Sequence, residues 1–185
     1  SYRDLLEKAN RIARVLTEDM GLVPGNRVLL RAANTPMLIA TWFGVLKAGG
    51  VVVATMPMLR ASELVVIVDK ARISHALTDA RLVEELESAR ADLPVLSNVM
   101  TFGPDGELEG RMETKSPDFE TDDTAAEDVA LIAPTSGTTG EPKGCMHLHR
   151  DILAVCDTFA LHILDPQPDE RVLDVGCGEG VLTAK

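Results

Sequence analysis

The residues from Thr135 to Gly144, Thr-Ser-Gly-Thr-Thr-Gly-Glu-Pro-Lys-Gly, gather the groups that can hold a phosphate. The hydroxyls of Thr135, Ser136, Thr138 and Thr139 can donate to phosphate oxygens, and Lys143 supplies positive charge. Gly137, Gly140 and Gly144 let backbone N–H groups approach an anion closely. Pro142 stiffens the approach to the lysine. No apolar side chain interrupts the run. The spacing is not the common P-loop, in which two glycines bracket four residues before Lys and Ser/Thr. It is not G-x-G-x-x-G either.

The flanking sequence indicates what must position this segment. Val129 to Ala133 is an apolar run that reads as a buried strand, and Ile152 to Val155 reads as a helix. Strand, glycine-rich loop, then helix is a geometry that holds phosphates in α/β proteins. Upstream, Tyr2 to Leu16 carries apolar residues at helical spacing opposite a charged face. Arg27–Arg31 reads as a strand, and Pro36 sits in the first turn of a helix that runs to Lys47 and stops at Gly49-Gly50. Val51–Ala54 is continuously apolar, as in a strand covered on both faces. Helices are expected over 62–70 and 80–90, and strands over 74–77 and 95–102. This alternation predicts an α/β fold with βαβ units around a largely parallel sheet. The stretch 102–128 is acidic and rich in turn residues, and reads as a long surface excursion.

The ten-residue run resembles the signature of the adenylate-forming superfamily, T-S-G-T-T-G-x-P-K-G, at every fixed position. Gly144 to Asp151 is similar to the family's G-V-x-x-T-H-x-N run, with His149 at the histidine and Asp151 at the asparagine. Ser1 to Leu6 resembles the S-Y-x-E-L helix start. Leu46 to Val51 resembles the L-K-A-G-x-x run, and Pro57 lies close to the proline that follows it in the family. Cys145 to Asp151 particularly resembles benzoate- and 2-aminobenzoate-CoA ligases. Pro134 departs from the pattern, which has an aromatic or other larger residue there.

The resemblance implies residues 1–170 as a partial N-terminal (AMP-binding) domain and 171–185 as an atypical tail. It implies ATP-dependent activation of a carboxylic acid, of the aromatic class, to an acyl-adenylate, then transfer to coenzyme A. Lys143 would be the catalytic cation. Thr135, Ser136, Gly137, Thr138, Thr139, Gly140, Pro142, Lys143 and Gly144 would bind ATP. Mg²⁺ would bridge its phosphates, with no metal ligand assigned in this chain. His149 would either contact the acid or simply start a helix. The family's downstream magnesium-binding glutamate, ribose-binding aspartate and C-terminal lysine fall outside these residues, so the isolated chain is expected not to complete the reaction. The alternative is a non-catalytic nucleotide-binding or interaction fragment.

Composition narrows the partners. A net charge of −11 over 185 residues argues against nucleic acid and anionic membrane surfaces, which need clustered Lys and Arg. Cys145, Cys156 and Cys177 show no C-x-x-C spacing and read as reduced thiols in a cytoplasmic protein, with Cys145 packed. No signal segment or membrane span is evident. His75 and His162 read as structural, Trp42 and Phe43 as core, and Glu84-Glu85 and Asp122-Asp123 as solvated faces. Asp174-Val175-Gly176-Cys177-Gly178-Glu179-Gly180 resembles the first motif of class I S-adenosylmethionine methyltransferases, which makes a methyltransferase piece a third, lesser reading; the acidic residue that binds the ribose in that family is not among these residues.

Overall fold

The computed structural model describes residues 1–135, 143–165 and 167, with the side chains of 159–161 excepted. The expected tail motif at 174–180 lies outside them. Among the described residues six strands form one sheet: β1 (Arg27–Arg31), β2 (Val51–Thr55), β3 (His75–Asp79), β4 (Asn98–Phe102), β5 (Val129–Thr135) and β6 (Lys143–Leu148). Their order is β4-β3-β1-β2-β5-β6. The first five run parallel, and β6 returns antiparallel beside β5. The expected α/β class and largely parallel sheet are therefore what this chain forms.

The helices are α1 (Tyr2–Arg14), α2 (Pro36–Lys47), α3 (Ala61–Ala71), α4 (Val83–Arg90), α5 (Leu108–Glu113) and α6 (His149–Val155). Their starts follow local chemistry. Ser1 and Asp4 cap α1 reciprocally, and Thr35 Oγ1 accepts from Leu38 N just before Pro36 opens α2. Asp151 accepts from Leu148 N at the start of α6.

Alternation along each strand separates two cores. Val28, Leu30, Val52, Leu77, Met100 and Phe102 point toward α1, α2 and α5. Leu29, Val53 and Ala76 point the other way, toward the buried Leu64, Ile67 and Val68 of α3 and Leu86 of α4. Each fully buried large apolar side chain contributes about 1.5–3 kcal/mol relative to an exposed one.

Several expectations change. The stretch 102–128 is no loose excursion. It contains α5, whose Leu108 and Met112 are buried. Thereafter it straps across α1 and α2: Asn10 Nδ2 donates to Pro117 O, Arg11 Nη1 to Lys115 O, Arg14 Nε to Asp118 O, and Asp122 N to Lys47 O. These long-range bonds are invisible to a local hydropathy reading. The strand expected from 95 begins only at Asn98, because Leu96 N closes a turn on Leu93 O. The helix expected over 80–90 opens as a 3₁₀ turn over Ala80–Leu82, with Asp79 accepting from Arg81 N.

Phe43 is exposed rather than core, whereas Trp42 packs partly buried against the first cluster. Glu85 is no mere solvated charge: its oxygens accept from Arg60 Nη1 and from Ala61 N at the start of α3. Asp122 meets Gly49, where an added Cβ would lie 2.6 Å from the carboxylate. His75 is structural, as expected. Its Nε2 donates to Met20 O at 3.1 Å and its Nδ1 accepts from Ser74 Oγ at 2.8 Å, in a buried setting. His162 is exposed.

Candidate functional site

In parallel open sheets, ligands bind beyond the carboxyl ends of the strands. Here Arg31, Thr55, Asp79, Phe102 and Thr135 mark that edge. The hydroxyl- and glycine-rich segment leaves it from the end of β5 and returns at the start of β6. Strand, loop, helix was the expected order; the structure inserts a strand, so the segment is the connection of an antiparallel β5–β6 pair. The apolar run Val129–Ala133 is balanced by a mixed return strand, Lys-Gly-Cys-Met-His-Leu, whose weak alternation conceals its strand character.

Of the expected phosphate ligands, Thr135, Lys143 and Gly144 lie among the described residues, and the structure brings them together. Thr135 and Lys143 are register partners, and Thr135 Oγ1 donates to Lys143 O at 3.3 Å. Pro134 pairs with Gly144 one step further in. At that position an added Cβ would come within 2.9 Å of Ile132 Cγ2, so glycine lets the return strand close. Pro134 lacks an N–H to bond, which suits a strand end. Lys143 is exposed, and no carboxylate among the described residues forms an ion pair with it. Ser136, Gly137, Thr138, Thr139, Gly140 and Pro142 lie outside the described residues.

His149 is not brought to this end. It begins α6 after β6 has crossed the sheet, about 17 Å along at roughly 3.4 Å per residue. Its backbone N–H donates to Asp128 O, and its half-buried side chain borders a separate cavity with Asp128 and Val129. Cys145, expected to pack, is exposed: β6 is the last strand among the described residues, and none of them covers its face at Cys145.

Two concavities flank Lys143 and Thr135. Val53, Ile67, Pro134, Lys143 and Met146 border a groove of about 200 Å³ on the α3 face. A smaller one, about 140 Å³, lies between Thr135 and Pro134 on one side and Thr55, Met56 and Leu59 on the other, with Glu63 at its rim. The turn after β2 was read only as a proline landmark. The signal available was its position: Met56-Pro57-Met58-Leu59 must cross the carboxyl edge to reach α3. At the foot of α3, the Arg60 hydrogen bond holds the Glu85 carboxyl below its ordinary range, and the same contact raises Arg60.

The described donors of the β5–β6 end are a hydroxyl and an ammonium, with Glu63 lining the adjoining cavity, and the sequence between them is rich in glycine and hydroxyls with one acid, Glu141. That chemistry suits a polyanion. Among the described residues, no cluster of His, Cys, Asp and Glu could hold a metal alone. No helix among them is long and apolar enough to cross a membrane.

The sequence matches the AMP-binding enzyme family over residues 1–175. The chain belongs to that family. As an AMP-binding enzyme it is 32% identical over 171 residues to the uncharacterized acyl--CoA ligase YtcI of Bacillus subtilis, covering 89% of this chain and 31% of that protein. It is 28% identical over 191 residues to the benzoate--CoA ligase of Thauera aromatica, covering 98% and 36%. The chain thus spans about a third of the length of these curated relatives. ATP-bound MatB from Rhodopseudomonas palustris superimposes with a TM-score of 0.79 at 28% identity, over 99% of this chain and 36% of that one. The anthranilate CoA ligase AuaEII in complex with anthranoyl-AMP superimposes at 0.82 over 87% of this chain and 32% of that one; at 23% identity it speaks for the fold alone. Within the AMP-binding family, the α/β sheet described above is the architecture of the N-terminal domain of adenylate-forming enzymes.

Proposed function

We propose that residues 135–144 form the phosphate grip of an ATP-dependent carboxylic acid–CoA ligase, and that this chain supplies part of its large domain. The observation that carries the reading is the pairing of Thr135 with exposed Lys143 across the mouth of a hydroxyl- and glycine-rich connection, at the carboxyl edge of the sheet. In this reading Lys143 faces the departing pyrophosphate, where negative charge develops. Ser136, Thr138, Thr139 and Thr135 donate to phosphate oxygens, and Gly137, Gly140 and Gly144 keep backbone N–H groups within reach. Pro142 fixes the direction of the return.

The acid's carboxylate oxygen would bond to the α-phosphorus while the bond to pyrophosphate breaks, giving an acyl-adenylate. The thiol of coenzyme A would then attack the acyl carbon and release AMP. Mg²⁺ would be carried by the phosphates rather than by a cage of this chain's own carboxylates. The likeness to benzoate--CoA ligase, together with the Cys145–Asp151 run, supports an aromatic acid. Of the two roles open to His149, contact with the acid or a helix start, we favour the start of α6, where its N–H donates to Asp128 O. Residues 1–170 would be the domain portion and 171–185 a tail of different character. The free thiols of Cys145 and Cys156 support a cytoplasmic setting.

The test is acid-dependent exchange of pyrophosphate into ATP by the complete ligase. Lys143→Ala, or Thr138→Ala with Thr139→Ala, is expected to lower exchange by roughly 10²-fold or more, as loss of a preorganised charge-stabilising donor does. Exchange unchanged in the lysine variant removes its assigned role.

A further inference from the structure

Arg31 is the last residue of β1. It is 1% exposed, among the largest fully buried side chains. Among the described residues no carboxylate accepts from it. Instead Nη2 donates to Pro57 O and Leu59 O, both at 2.8 Å, Nη1 to Met56 O at 3.2 Å, and Nε to Leu82 O at 3.5 Å. Burial pushes the Arg31 guanidinium below its ordinary pKa; the nearby negative charge of Glu85 partly offsets this, although the Glu85 oxygens accept from Arg60 and Ala61.

A buried cation satisfied only by carbonyl dipoles is costly to keep. What it accomplishes is geometric. The planar fork gathers three carbonyls from a single turn, 56–59, and one from the 3₁₀ turn after β3. That first turn crosses the carboxyl edge of the sheet, and its Met56 and Leu59 form the wall of the 140 Å³ cavity opposite Thr135. We infer that Arg31 is a positioning residue for nucleotide binding: it holds the 56–59 turn as the wall facing the Thr135–Lys143 end of the β5–β6 pair. The inference rests on the phosphate-grip reading above. Lysine cannot reproduce the role, since its point charge lacks the rigid fork.

Two measurements test it. On this chain, the methyl resonances of Met56 and Met58 report the turn's position by ¹H–¹³C NMR. On the complete ligase, pyrophosphate exchange separates KM for ATP from kcat. Arg31→Lys is expected to keep the fold, shift the Met56 methyl, raise KM for ATP about tenfold and leave kcat within about threefold. Arg31→Met, which leaves no buried charge, is expected to behave alike. A Met56 methyl that stays in place, or a KM that stays at the wild-type value, overturns the inference. If neither arginine variant folds, Pro57→Gly loosens the same turn with Arg31 intact, and an unchanged KM there overturns it equally. Wild-type ligase without exchange defeats the phosphate-grip reading as well. A competent wild type with unaltered arginine variants defeats only the role of Arg31.

Discussion

At the scale of single residues, chemistry was easier to find than placement. Thr135, Lys143 and Gly144 stand out in sequence because a phosphate grip needs those residue types at close spacing, whatever fold carries them. Arg31 does not stand out. An arginine closing an apolar run reads as a strand end, and only the turned-in carbonyls of Met56, Pro57 and Leu59 reveal why it is buried. Cys145 and Phe43 were misplaced for a related reason: hydropathy indicates that a residue can be buried, not whether a neighbour covers it. At Lys143 the presence of a positive charge matters more, in the proposed role, than the shape of the side chain. Lys143→Arg keeps a cation and is expected to retain more exchange activity than Lys143→Gln, which is expected to fall by roughly 10²-fold. Equal losses in both, measured as kcat at saturating ATP, would indicate a positional rather than an electrostatic role.

Among elements, helix and strand identities followed from periodicity and caps, and the order βαβ followed from their alternation. The return strand β6 and the strap after α5 did not. Both are fixed by partners far away in sequence: β6 by its ladder to β5, and the strap by Asn10, Arg11 and Arg14 of α1. Two glycines distinguish tertiary from local control. Gly49 ends α2 at φ +72° with Asp122 against it, so Gly49→Ala is expected to cost about 1–3 kcal/mol through backbone strain and contact. Gly110 lies within α5 with open space around its Cα, so Gly110→Ala is expected to stabilise by about 0.5–1 kcal/mol. Denaturant midpoints of the two variants should move in opposite directions. Phe102, fully buried on β4, is expected to cost about 3–5 kcal/mol on truncation to Ala.

At the scale of the whole molecule, the group that governs stability near neutral pH lies at the amino end of the sheet, away from the proposed phosphate grip. His75, at the amino end of β3, is buried between Ser74 and Met20, and burial holds its pKa below the ordinary 6.5. The unfolded chain therefore binds this proton more readily than the fold does. The contribution is intact above about pH 6.5 and is lost as pH falls from there toward the folded value. The melting temperature is expected to drop between pH 7 and pH 5, and His75→Gln to flatten that slope. The Asp79 carboxyl, held below its ordinary range by the Arg81 hydrogen bond, adds a further loss only in more acidic solution. The fold class was legible from sequence because it needs only the alternation of elements. Strand order, and with it the separation of His149 from Lys143, was not, because β6 reverses the chain's direction at the sheet edge. The central claim is that the β5–β6 connection grips a triphosphate. It is tested most directly by titrating this chain with ATP and Mg²⁺ while following backbone amide resonances. The account predicts saturable shifts concentrated between Thr135 and Gly144 that vanish in Lys143→Ala. Shifts absent from that segment, or persisting unchanged without the lysine, would contradict it.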